Sequence, residues 1–251
     1  MKLSVKSDEV KFGTNILKIK IPKQLRKKLP SGLDYIDCAL GGEGFTPSAV
    51  TLFTGTPGSG KTTMMLKMAD SLTKQGAVVL FNTAEESLYQ VKMVAERLGL
   101  RHGFHAGQES HVPTLLTRCD KLRGKRGNKN RPFFLIVDSL QCMDDGKYNG
   151  GHINRASSER SLGMITDYCK ENFCNAIVIG QVNKSGQMAG TNKLKHMVDA
   201  MMELSVETKD RDLEGCRVLQ TTKNRFGGCG HTFFLQLNDR GFTEVARVSA
   251  A

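Results

Sequence analysis

The chain has 251 residues, near the upper end of what one hydrophobic core supports, so one large domain with a short appendage is expected rather than two equal domains. Hydrophobic residues make up 39% and charged residues 24%, interspersed, which excludes wholesale disorder, and no apolar run is long enough to span a bilayer. A net charge of +11 points to a polyanionic partner, nucleic acid first, although a solvated lysine-rich surface gives the same count.

Charge in Met1-Lys2-Leu3-Ser4-Val5-Lys6-Ser7-Asp8, where a secretory signal needs an apolar stretch, predicts a cytoplasmic chain without a membrane partner. The seven cysteines are odd in number and include no C-x-x-C pair, which argues against zinc or a disulfide framework and for small buried hydrophobes or inert thiols. Residues 1–29 are basic and only modestly apolar, and form an arm leading into a core expected over 30–245, with 246–251 as a tail. Ser31 is placed to cap a short helix whose Leu33, Ile36 and Leu40 share one face, ended by Gly41-Gly42.

From there strand and helix alternate. Apolar strand runs are predicted at Val50 to Thr54, Val78 to Asn82, Phe133 to Asp138 and Ala176 to Gln181. Helices are predicted at Lys61 to Lys74, Ser87 to Leu98, Pro113 to Arg123 and Ser157 to Glu171. Near-continuous apolar strands separated by helices give an α/β fold with a mostly parallel sheet covered on both faces. Right-handed crossovers bring the strand C-terminal ends to one edge, where the chemistry belongs. After residue 196 shorter strands, Val198 to Val206, Arg217 to Thr222 and Phe233 to Leu237, predict an antiparallel extension.

Gly55-Thr56-Pro57-Gly58-Ser59-Gly60-Lys61-Thr62 is a G-x-x-x-x-G-K-[ST] phosphate loop between a predicted strand and helix. Its glycines let backbone N–H groups turn onto the phosphates of ATP, with Thr63 in the same first turn of the helix. Lys61 is assigned to the β- and γ-phosphates and Thr62 to Mg²⁺. Phe133 to Asp138 ends an apolar strand in an acid beside that loop, so Asp138 joins the Mg²⁺ shell. Glu85 and Glu86 follow the Val78 strand at the same edge. Glu85 is assigned as general base, the alternative being that both acids complement a helix dipole. Gln181 ends its strand as a γ-phosphate sensor, or as a glutamine satisfied by local backbone.

Lys223-Asn224-Arg225-Phe226-Gly227 resembles the K-N-R-F-G signature of the bacterial RadA/Sms family, RecA-like ATPases of recombination and repair. Pro30-Ser31-Gly32-Leu33-Asp34, the phosphate loop, Ala84-Glu85-Glu86-Ser87, Val137-Asp138-Ser139-Leu140-Gln141 and His196-Met197-Val198-Asp199 resemble it in the same order, across roughly residues 30 to 245. The resemblance implies a RecA-like fold and catalytic roles for Lys223 and Arg225 as fingers reaching a neighbour's ATP. It thereby implies a homo-oligomer, a hexameric ring. Two Gly-, Lys-, Arg- and Asn-rich loops, Met143 to Ser158 and Lys184 to His196, would line its channel, making Lys147, Arg155, Lys184, Lys193 and Lys195 candidate DNA contacts. With no C-x-x-C pair and little chain after the core, the family's N-terminal zinc finger and C-terminal Lon-like domain are not expected in these 251 residues, and Gln181 stands where many members carry histidine.

The function expected is an ATP-driven ring moving on single-stranded DNA, promoting branch migration or strand exchange beside a recombinase. The alternatives are a replicative-type hexameric helicase and a nucleotide-switched assembly protein resembling circadian-clock ATPases. A denser basic run, Lys121 to Arg131, is expected at the strand edge away from the nucleotide.

Overall fold

The computed structural model describes residues 10–148, 153–182, 191–229 and 231–249, without the side chains of Arg155, Thr191 and Asn192. The arm residues 10–28 carry two short 3₁₀ turns, Ile16–Lys18 and Lys23–Leu25, and expose Phe12, Ile16, Leu17 and Ile21. Leu29 enters the core by exchanging backbone hydrogen bonds of 2.8 Å with Phe45.

The first helix, α1 (Asp34–Ala39), is not capped by Ser31 as expected. Ser31 Oγ accepts from Leu33 N at 3.1 Å, and Ser31 N donates to Asp37 Oδ1 at 2.8 Å, so the serine braces the approach and Leu33 occupies the cap. Gly41 and Gly42, at φ 94° and 99°, do end the helix, with Gly42 N bonded to Asp37 O.

Strand β1 (Val50–Gly55) leads through the phosphate loop into α2 (Lys61–Lys74), whose limits match the sequence reading. β2 (Val78–Thr83) is followed by α3 (Leu88–Arg97), which a reciprocal Ser87/Gln90 capping box starts. The short β3 (His105–Gln108), not anticipated because its residues are largely exposed and unpatterned, lies at the sheet edge. α4 (Val112–Arg123) and β4 (Phe133–Asp138) follow. α5 (Arg155–Asn172) opens on an Asn154/Ser157 capping box and leads to β5 (Asn175–Gln181) and α6 (Thr191–Met197).

The sheet order is β3-β2-β4-β5-β1 and then β6 (Ala200–Val206), all parallel. It continues antiparallel through β7 (Arg217–Asn224), β8 (His231–Asn238) and β9 (Gly241–Ser249). β9 runs past residue 245, where the tail was expected to start, because His231 and Ser249 still pair.

Alternate strand residues enter different cores. Phe53, Phe81, Phe134 and Ile136 pack with α2 on one face, and Leu52, Leu80, Leu135 and Val178 pack with α4 and α5 on the other. That double burial makes these strands continuously apolar. Among the described residues, no helix is long and apolar enough to cross a membrane. Of the seven free thiols Cys119, Cys169 and Cys174 are buried and the other four retain exposure.

Candidate nucleotide site

The C-terminal ends of β1, β4 and β5 and the turn after β2 converge on one edge. The phosphate loop takes its shape from glycine: Gly58 and Gly60 lie at φ 76° and 99°, and a Cβ on Gly55 would sit 2.2 Å from the Leu204 carbonyl. Ser59 is fully buried in that loop, and its hydroxyl has no protein partner. An orphaned hydroxyl in a glycine-shaped loop at a helix N-terminus is the donor set a phosphate would satisfy, so the residues present fit a nucleotide.

Lys61 Nζ curls back over this loop, donating to the carbonyls of Gly55 and Thr56 at 2.9 Å each. Burial lowers its pKa while Asp138 and Glu85 pull it up. Thr62 Oγ1 donates to Asp138 Oδ2 at 2.7 Å, bringing together two hard oxygen groups of the kind Mg²⁺ selects. Burial, aided by Glu85 and Glu86, raises the Asp138 pKa to about 6 against the pull of Thr62 and Lys61. Thr56, Pro57 and Thr63 complete the loop and the first helical turn, with Pro57 exposed.

Glu85 Oε1 is the hub of the other acid. It accepts from Ser139 Oγ, from Gln181 Nε2 at 2.8 Å and from Cys142 Sγ at 3.4 Å. The Gln181 side chain thus bonds this carboxylate rather than local backbone. Glu86 serves the turn instead, its backbone N–H donating to Thr83 Oγ1 at 2.9 Å.

Lys223 and Arg225 lie at the opposite edge. β7 runs back against β6, so Lys223 pairs with Met201 and Asn224 with Ala200, at the start of β6. Lys223 Nζ donates to the carbonyls of Lys195 (2.5 Å) and Val198 (2.6 Å), and Arg225 Nη1 bonds Asp199 Oδ1 at 3.3 Å. The other Asp199 oxygen, Oδ2, accepts from the backbone N–H of Val50, the first residue of β1. Neither cation can reach the phosphate loop of its own chain without the length of β1 between.

Of the five DNA candidates, four lie within the described residues. Lys147 is exposed, its Nζ 5.7 Å from the Tyr148 ring centroid. Arg155 opens α5 rather than lying in a loop, because the Asn154 capping box starts the helix there. Lys184 lies outside the described residues. Lys193 and Lys195 sit on α6, not in a loop, and Lys193 pairs with Glu159.

Sequence reasoning missed Ser139 and Cys142 on Glu85, and two braces from the antiparallel strands. Arg217 Nε donates to Ser59 O at 3.1 Å, and a Cβ on Gly60 would meet Phe242 Cζ at 2.9 Å. Ser139 could have been found as the neighbour of Asp138, whereas Arg217 and Phe242 have no local signal.

Residues 29–105 match the family model described as the KaiC ATPase. The chain is 29% identical over 229 residues to the DNA repair protein RadA of Aquifex aeolicus, covering 91% of this chain and 48% of that one. It is 32% identical over 231 residues to RadA of Haemophilus influenzae, covering 92% and 47%. The chain therefore spans less than half the length of these relatives. Among solved structures, an isolated ATPase domain superposes with a TM-score of 0.73 at 15% identity, over 88% of this chain and 92% of that one. A DnaB-like replicative helicase superposes at 0.72 and 14%, over 86% and 62%. At such identity these two speak to the fold alone. In sequence the chain is similar to RadA proteins over about nine-tenths of its length, and its fold is similar to that of the two solved ATPase structures.

Proposed function

We propose that the chain is an ATPase that assembles into a ring, hexameric by resemblance, and moves along single-stranded DNA to promote branch migration or strand exchange in repair, beside a recombinase. One observation carries the reading. Lys61, Thr62, Asp138, Glu85 and Gln181 converge on one sheet edge, while Lys223 and Arg225 sit at the other, so a site using all of them needs two copies.

In this reading the loop N–H groups and the α2 terminus hold the phosphates, and Lys61 leaves its two carbonyls for the β- and γ-oxygens. Thr62 and Asp138 would hold Mg²⁺, which supplies charge neutralisation on the phosphate oxygens. Glu85 orients water and takes its proton. Gln181, already bonded to Glu85, gains or loses that bond with the γ-phosphate, and β5 passes the change to the segment after it. Lys223 and Arg225 of a neighbour stabilise the charge developing on the γ-phosphate.

The test is the ATP hydrolysis rate of the purified chain with and without single-stranded DNA, alongside its mass in solution. A rate raised by DNA in an assembled ring is expected. A DNA-indifferent rate would overturn the motor and favour a nucleotide-switched assembly protein. Directional unwinding of a forked duplex would favour a helicase.

A further inference from the structure

At the edge remote from the phosphate loop, a cleft of about 450 Å³ opens between two basic segments distant in sequence. Its volume falls within the ~300–1,000 Å³ usual for ligand sites. On one side Gln24 and Leu29 line it, bracketing a stretch with four cations between residues 23 and 28. On the other, residues 128–132 and Arg123 line it, part of a stretch with six cations between 121 and 131, together with the acid Asp120 just before that stretch. Neither stretch contains an acid. Lys28 and Arg123 meet Glu43 and Asp120, whereas Lys125, Arg126 and Lys129 extend into solvent.

The cleft is also where backbone strain collects. Among the described residues the non-glycine positions with left-handed backbone are Ser48 (φ 62°), Asn130 (φ 67°) and Phe173 (φ 51°). Asn130 and Phe173 line the cleft, and Ser48 follows Pro47, which lines it too. Phe173 ends α5 in a conformation that glycine or asparagine adopts at lower cost, and its ring is 42% exposed. Phe173 belongs to neither of the two cores. An exposed aromatic beside unmatched cations is the pairing that binds single-stranded nucleic acid, with cations along the phosphates and a ring under a base.

We propose that this cleft is a second binding site for a single-stranded polynucleotide, separate from the loops beyond β4 and β5, with Lys125, Arg126 and Lys129 on the phosphates and Phe173 stacking on a base. Its position also predicts that binding here needs no nucleotide in the phosphate loop.

The experiment is anisotropy of fluorescein-labelled oligodeoxythymidylate with the full chain, free of ATP, across a salt series. Combining Lys125→Ala, Arg126→Ala and Lys129→Ala should flatten the salt dependence by about 2 in log–log slope, since each lost phosphate contact removes roughly 0.7. Phe173→Gly should weaken binding about tenfold at an unchanged slope. It should leave the melting temperature unchanged or raised, because the left-handed strain is relieved. A merely structural ring would instead lower the melting temperature and spare binding. Unchanged affinity and slope in both variants would overturn the site. So would a triple variant that alters only the oligomeric state, which would make this face a protein interface. Either failure leaves the motor reading standing, since DNA-stimulated hydrolysis is measured separately.

Discussion

Opposite charges are left over at the two edges of the same parallel sheet. At the edge where β1, β4 and β5 end, Glu85 and Glu86 crowd Asp138, and with burial they lift its pKa to about 6. At the other edge burial lowers the His105 pKa, and Lys125 and Arg131 push it further down. Around Asp138 acids outweigh Lys61, and around His105 the neighbouring charges are the cations Lys125 and Arg131. Mg²⁺ with a triphosphate would settle the first, and a polynucleotide backbone the second. Lys223 and Arg225, the proposed fingers, lie at the cationic edge, so stacking one copy's basic edge on the next copy's acidic edge would join the two imbalances. The proposed ring, in which every nucleotide site is shared, would use that complementarity.

Arg225→Ala tests the joining most severely. If the guanidinium serves a neighbour's γ-phosphate, DNA-stimulated kcat should fall about 10³-fold while ATP affinity stays within error, and full activity would detach the basic edge from catalysis. Mixing Arg225→Ala with Lys61→Ala chains should restore part of the rate, because some mixed interfaces then have both halves intact. Next in size, Glu85→Gln should lower kcat by about 10²–10³-fold with nucleotide binding preserved; a Glu86→Gln loss of equal size would move the base one residue along. Lys61→Ala should weaken ATP binding by roughly 100-fold in equilibrium titration, and unchanged affinity would refute the phosphate site.

The acidic edge was largely legible in the sequence, whereas of the basic edge only the place of the run Lys121 to Arg131 was. β4 and α2 carry the limits read from the sequence, because a strand buried on both faces reads as an unbroken apolar run and the loop glycines fix where the helix starts. Lys61, Thr62 and Asp138 are fixed by those elements. Gln181 could be placed at a strand end, but its bond to Glu85 spans 96 residues of sequence and no spacing encodes it. Arg217 and Phe242 escape for the same reason, being supplied by antiparallel strands whose register only the fold sets. Lys223 and Arg225 were visible through family resemblance alone. The cleft at Phe173 was invisible because a left-handed phenylalanine leaves no mark in composition.

Two smaller effects sharpen the contrast through pH. The ordinary carboxyl value is 3.8, and a folded value near 6 means that the native state holds the Asp138 proton more tightly than the unfolded chain does. Ionised Asp138 therefore costs stability above about pH 6, and the cost fades as pH falls toward 4. Asp138→Asn should stabilise the nucleotide-free, metal-free chain near pH 7.5 by on the order of 2–3 kcal/mol, and by little near pH 4, in paired thermal melts. A variant less stable at both pH values would mean that the carboxylate is already compensated.

The smallest effect lies at the other edge. The folded His105 pKa is below 6.5, so neutral His105 is the favoured native form, and its contribution to stability is lost as pH falls through 6.5 toward the lower folded value. Lys125→Ala removes one of the two cations responsible, and an NMR titration of the imidazole should then move upward. Adding oligodeoxythymidylate to the unmodified chain should move it in the same direction, because phosphates entering the cleft would neutralise those cations. A His105 titration indifferent to both would mean that solvent already screens this edge, leaving the carboxylate edge as the sheet's sole unbalanced charge.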